Sequence, residues 1–207
     1  ASVAQAAGTA TQIDNRVRGI EAYVATNPSI EIVTNYRGAD MADGVRQMLT
    51  AFPEIDGVAV TGNDGTVIGA IYADGMQDRV KIATVDLQEG NDQHIEEGVL
   101  VWVADGQAPL ANLAVALLYN SLSGTPLITG DERTNPILGS NVYIKTVQDY
   151  NDFVELYQGE EQVYTADEIK ELIVTFNPDA TLDDLVALAA TNGLESVKER
   201  HGLSSSK

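Results

Sequence analysis

Apolar runs of strand length alternate with segments of helical periodicity through the first 145 residues, and five of six runs end in a polar or glycine-bearing turn. Residues 3–7 lead into Gly8-Thr9, 30–34 into Asn35-Tyr36-Arg37, and 57–61 into Gly62-Asn63-Asp64-Gly65. Residues 81–85 lead into Asp86, and 100–103 into Ala104-Asp105-Gly106-Gln107. The intervening segments read as helices over 12–25, 41–52, 67–73, 91–98 and 108–123, the first with Ile13, Val17, Ile20 and Val24 at helical spacing. Strands alternating with helices imply right-handed crossovers and a parallel sheet, so the chain reads as a doubly wound α/β fold. Ligands of such sheets bind outside the carboxyl ends of the strands. Here that edge carries amides, carboxylates and a guanidinium, which suits a small polar ligand.

Composition narrows the classes further. The 207 residues suffice for one large domain or a domain with an appendage. The formal net charge of −19 repels phosphate backbones and anionic lipid, which disfavours nucleic acid as a partner. Cysteine is absent, so disulfides, thiolate catalysis and cysteine-ligated metal are excluded. No stretch reaches the roughly 18 consecutive apolar residues of a spanning helix. No signal peptide is visible, and the chain looks like a fragment cut at a domain boundary.

Beyond Pro126 the texture changes. Residues 127–140 read as an irregular connection and 142–147 as a further strand. From Gln148 the signals are helical. Thr165-Ala166-Asp167-Glu168 is a capping box opening a helix that Asn177-Pro178 closes, and Thr181-Leu182-Asp183-Asp184 opens another, ended by Asn192-Gly193. The expected organisation is an α/β lobe over 1–147 and a helical tail over 148–207, with 204–207 unstructured.

Several motifs, in order, carry a family resemblance. They are Asn15-Arg16-Val17-Arg18-Gly19-Ile20, then Leu49 to Val58 with its Ala51-Phe52-Pro53-Glu54-Ile55 centre, then Thr61-Gly62-Asn63-Asp64 followed by Ile68-Gly69-Ala70. Lys81 to Asp86 and Gly98 to Pro109 complete the set. Together they resemble the carboxyl-terminal lobe of type I periplasmic substrate-binding proteins, the ribose- and galactose-type receptors of ABC importers. The resemblance covers a little over half the chain. It implies strand order 2-1-3-4-5, a preceding lobe outside this sequence, and a ligand held between the two. The implied partners are a small sugar or polyol and the membrane permease of an importer, in an extracytoplasmic location, with no enzymatic activity and no cofactor. The helical tail either packs on this lobe or mediates self-association across the face left by the preceding lobe. An effector-binding domain of a LacI-type repressor on the same fold is the alternative, and a Rossmann-like enzyme using strand-end carboxylates the third reading.

The resemblance also implies site residues. Asn63 faces ligand as donor and acceptor, while Asp64 serves either ligand or the following helix as a cap. Asp86 accepts from adjacent hydroxyls, with a helix cap as the plainer reading. Asp105 stands at the family's polar position after the fifth strand, and Gln107 replaces it if that turn is one residue longer. The family's arginine near the first helix falls on Asp14 without gaps, and Arg16 stands two residues beyond. Tyr36 matches an aromatic stacked on the sugar face, or else is a partly buried edge tyrosine. Trp102 reads as core. His94 and His201 lie on solvated helices outside any metal or triad spacing, and neither a P-loop nor a dinucleotide motif is present.

Overall fold

The computed structural model describes residues 1–8, 13–62, 65–130 and 139–203. The chain divides into two compact units, one of residues 1–104 with 144–150, the other of residues 105–143 with 151–207.

One six-stranded sheet runs through the chain, its first five strands paired in parallel. Strands β1 (Ser2–Ala7), β2 (Glu31–Arg37), β3 (Gly57–Val60), β4 (Lys81–Val85), β5 (Leu100–Asp105) and β6 (Val142–Ile144) stand in the order β2-β1-β3-β4-β5-β6. The expected order 2-1-3-4-5 holds, with β6 added at the edge. Register runs Val3↔Gly57, Gly57↔Lys81 and Val85↔Ala104, which brings successive carboxyl ends level. In β3 and β4 the buried Val58, Val60, Ile82 and Thr84 alternate with half-buried Ala59, Ala83 and Val85, as the pleat requires. Helix α2 (Met41–Ala51) starts where Asp40 accepts from the Asp43 N–H at 3.0 Å and buries Val45, Met48 and Leu49. Helix α3 (Gly65–Ala73) buries Val67, Ile68 and Ile71. Helix α1 (Ile13–Ala25) has only a half-buried apolar face of Val17, Ile20 and Val24. Helix α4 (Asn91–Glu96) begins after Gly90 at φ 85°.

Several strand boundaries differ from the sequence reading; β5, for one, takes in Ala104 and Asp105 of the turn expected after it. Asn35, Tyr36 and Arg37 extend β2 and do not form its turn. The strand expected over 142–147 ends at Ile144, because the Asp149 carboxylate accepts from the Lys145 and Thr146 N–H groups, each at 3.0 Å, and the Thr146 hydroxyl accepts from the Asp149 N–H at 3.1 Å. That reciprocal cap starts helix α6 (Val147–Tyr157).

The second unit is helical around α5 (Leu110–Leu122). Leu113 and Ala116 of α5 share a core with Leu156, Tyr164, Leu172, Leu185, Ala189 and Val197. The expected capping boxes open α7 (Ala166–Glu171) and α8 (Leu182–Ala190). A further helix, α9 (Leu194–Arg200), follows Gly193, which offers no side-chain cap. The buried Asn120 amide substitutes for a peptide group, donating to Leu172 O at 2.7 Å and accepting from Val174 N at 2.9 Å. Lys198 reaches the Asp152 carboxylate at 2.5 Å with both side chains nearly buried. Arg200 pairs with Glu168 at 2.6 Å and lies over the Tyr164 ring. His201, expected on a solvated surface, has a side chain only 12% exposed and pairs with Glu161 at 2.7 Å. Residues 204–207, expected to be unstructured, lie outside the described residues.

Candidate functional site

Two strand ends of the first unit, those of β3 and β4, meet at Arg16. Thr61 follows β3, with its N–H donating to Ala6 O at 3.0 Å, so this turn is held against the end of β1. Asp86 follows β4, and its N–H donates to Ala104 O at 2.9 Å, which holds that turn against β5. Arg16, in the second turn of α1, reaches across both. Its Nη1 donates to Thr61 O at 2.6 Å and lies 3.3 Å from Asp86 Oδ2.

The pair is half-open, with side-chain exposures of 33% for Arg16 and 46% for Asp86. Donors and acceptors therefore remain available to a ligand at this edge. A carboxylate beside a guanidinium presents acceptors for hydroxyl hydrogens and donors for hydroxyl oxygens, and charge-assisted hydrogen bonds are the stronger kind.

Asp86 is the one non-glycine residue with positive φ among the described residues, at 73°. Residues held in sparsely populated backbone regions cluster where structure is committed to function. The helix-cap reading of Asp86 fails: α4 starts five residues later, and its N-cap is Gly90. Gly62 follows Thr61 with φ 147°.

The remaining candidates are placed as follows. Asp14 occupies the first turn of α1 and pairs with Arg37 at the end of β2, 2.5 Å away. It is thus engaged with an arginine that the sequence reading assigned to a turn. Tyr36 lies on the other face of β2, half-buried, its ring laid against the backbone of Gly44 in α2 and its hydroxyl against Gly38. Those two glycines leave the room the ring occupies. Asp105 and Gln107 belong to the second unit. There Asp105 Oδ1 accepts from the Gly106 N–H at 2.6 Å, and Gln107 O accepts from the Leu110 N–H at 3.1 Å. Asn63 and Asp64 lie outside the described residues. The structure thus brings Arg16 and Asp86 together, and Asp14 to Arg37. Arg37 and Gly62 were not singled out from the sequence; the one signal for Gly62 was its place between a strand and an Asn-Asp turn.

Elsewhere in the first unit, Tyr72 of α3 donates its hydroxyl to Glu97, and His94 Nδ1 lies 3.2 Å from the same hydroxyl. Burial and the Glu97 carboxylate push the Tyr72 phenol up to about 12. Among the described residues no three of His, Asp and Glu converge to hold a metal ion, and no helix is long and apolar enough to cross a membrane.

A doubly wound parallel sheet with a paired guanidinium and carboxylate at its carboxyl edge has the architecture in which α/β folds place their ligands. The chain belongs to the periplasmic binding protein domain family, which matches residues 2–126. No curated protein matches it. Among solved structures, a glucose-galactose binding protein from Geobacillus stearothermophilus is similar at 18% identity and TM-score 0.59, covering 70% of this chain and 53% of that one. A periplasmic ribose ABC transporter structure from Conexibacter woesei is similar at 20% identity and TM-score 0.58, covering 73% and 53%. A Mycobacterium smegmatis protein in complex with β-D-fucofuranose gives 20% identity and TM-score 0.57, covering 76% and 53%. At these identities the likeness is one of fold. The chain spans about half the length of these solved chains.

Proposed function

We propose that this chain is the binding lobe of a solute receptor serving an ABC importer, acting outside the cytoplasm and holding a small sugar or polyol. The single observation that carries the reading is the Arg16–Asp86 pair at the ends of β3 and β4, in a chain of the periplasmic binding protein domain family. The sugar-binding names among the solved neighbours support it. Asn63 completes the proposed ligand set within this unit, with Asp64 and Asp14 at its margin. Ligand is enclosed when a preceding lobe closes onto this edge like a hinge, and the importer's permease reads the closed form. Residues 1–147 serve as the lobe and 148–207 as an accessory tail, whose helices share a core with α5. The role is binding, without chemistry on the ligand.

The test is an NMR titration of the 207-residue chain with D-ribose, D-arabinose, D-glucose and D-galactose. Amide shifts centred on Arg16, Gly62 and Asp86 are expected for at least one sugar, and they should vanish in Asp86→Ala. Shifts confined to other surfaces, or none for any sugar, sink the reading.

A further inference from the structure

We infer that Gly62 is a positioning residue of this site, and that the space left by its missing side chain is what lets Arg16 clamp the ends of β3 and β4. This rests on the reading of that edge as a ligand site. A Cβ built at position 62 lies 2.9 Å from Arg16 Nη1 and 3.2 Å from Asp86 Oδ2. The first distance is below any ordinary contact, and the atom it meets makes two bonds, to Thr61 O at 2.6 Å and toward Asp86 at 3.3 Å. The guanidinium can therefore yield only at the expense of those two bonds. A side chain at position 62 displaces Nη1, and that displacement loosens its hold on Thr61 O and on Asp86 Oδ2. Asp86 is then no longer held in one orientation at the ligand-facing edge.

Backbone conformation points the same way. Gly62 has φ 147° and Asp86 φ 73°, so two adjacent strand ends turn in conformations that ordinary residues avoid, on either side of one guanidinium. Gly69 and Gly19, in the neighbouring helices, have nothing within 4 Å of a built Cβ. Gly38 and Gly44 are closely filled by Tyr36, so the close fit against Arg16 and Asp86 is what sets Gly62 apart.

The experiment is a set of thermal melts on the 207-residue chain: wild type, Gly62→Ala, Arg16→Ala and the double variant. Alanine at position 62 strains the backbone in either background, so the diagnostic quantity is the difference between backgrounds. Gly62→Ala is expected to lower the melting temperature by roughly 3 °C or more beyond its effect in Arg16→Ala, a coupling of the size touching side chains show. A Gly62→Ala chain that fails to fold while the double variant folds gives the same answer in stronger form. Equal drops in both backgrounds, or failure of both to fold, overturn the inference. A second arm titrates the same proteins with D-ribose and D-galactose by NMR. Gly62→Ala should lose the sugar-dependent shifts as Arg16→Ala does, and a Gly62→Ala chain with the wild-type response overturns the positioning role. Absence of any response in wild type overturns the proposed function instead, and the thermal coupling still decides where Gly62 acts.

Discussion

Asp86 combines a backbone strain with an ion pair, and the two nearly cancel in stability. A left-handed conformation costs a non-glycine residue on the order of 1 kcal/mol. The pair with Arg16 is half-exposed, and such pairs contribute about 0.2–1 kcal/mol. Asp86→Gly removes both, so its melting temperature should stay close to wild type. Asp86→Ala loses the pair and keeps the strain, and should melt lower than Asp86→Gly. Both variants should lose about 1.5–3 kcal/mol of sugar affinity, since ligand hydroxyls lose a charged acceptor. An Asp86→Gly chain that melts several degrees below wild type would show that the ion pair outweighs the strain. Arg16 and Asp86 were legible one by one, as a helix-start arginine and a strand-end carboxylate. Their pairing was not, because it joins residues 70 apart through a gap made by an absent side chain. Arg37 was missed for a simpler reason: β2 runs three residues past its apolar run, so the arginine read as a turn points at Asp14 from a strand.

Caps made the tail helices readable, because a capping box is contained within four residues. Both expected boxes form, with Glu168 Oε2 accepting from the Thr165 N–H at 2.8 Å and Asp184 Oδ2 from the Thr181 N–H at 2.9 Å. Helix α9 was not legible, since Gly193 offers no capping side chain. The start of α6 was hidden by the β-branched run before it, although Thr146 and Asp149 already stood at box spacing. Glu168 ties two helices together, because its other oxygen takes Arg200 Nε at 2.6 Å. Burial pushes its carboxyl up, but the hydrogen bonds from the Thr165 N–H, from Arg200 and from the Thr165 hydroxyl outweigh that and hold it below the usual range. A depressed folded-state value means stability that is present above the ordinary glutamate value near ~4.3 and lost as pH falls through the folded one. Glu168→Gln should therefore melt lower than wild type at neutral pH, and the gap should close in acid. A gap unchanged down to the acid limb would remove Glu168 as a source of acid sensitivity. Thr181→Ala should cost about 1 kcal/mol, read by chemical denaturation, through loss of the α8 cap.

The parallel sense of the sheet followed from strands alternating with helices, while its order followed from the family resemblance. The division into two compact units did not, because α5 reads as the last helix of the lobe yet shares its core with the tail. With 31 acidic against 12 basic residues, self-repulsion acts across the entire chain. Melting temperature should accordingly rise as salt is added at neutral pH, most steeply where the screening length is still longer than the spacing of surface charges. A flat salt response would mean that paired carboxylates already absorb the repulsion. Ligand affinity is also set by how much of the site the chain supplies. In the proposed receptor, a sugar is bonded from two lobes and shielded from water by both. One lobe offers part of those hydrogen bonds in an open, wet crevice, while the cost of immobilising the sugar is nearly undiminished. Calorimetry of the 207-residue chain against D-ribose, D-arabinose, D-glucose and D-galactose should therefore find no better than millimolar affinity. Micromolar binding by this chain alone would mean that the site is complete within it, and the closing second lobe would have to be given up.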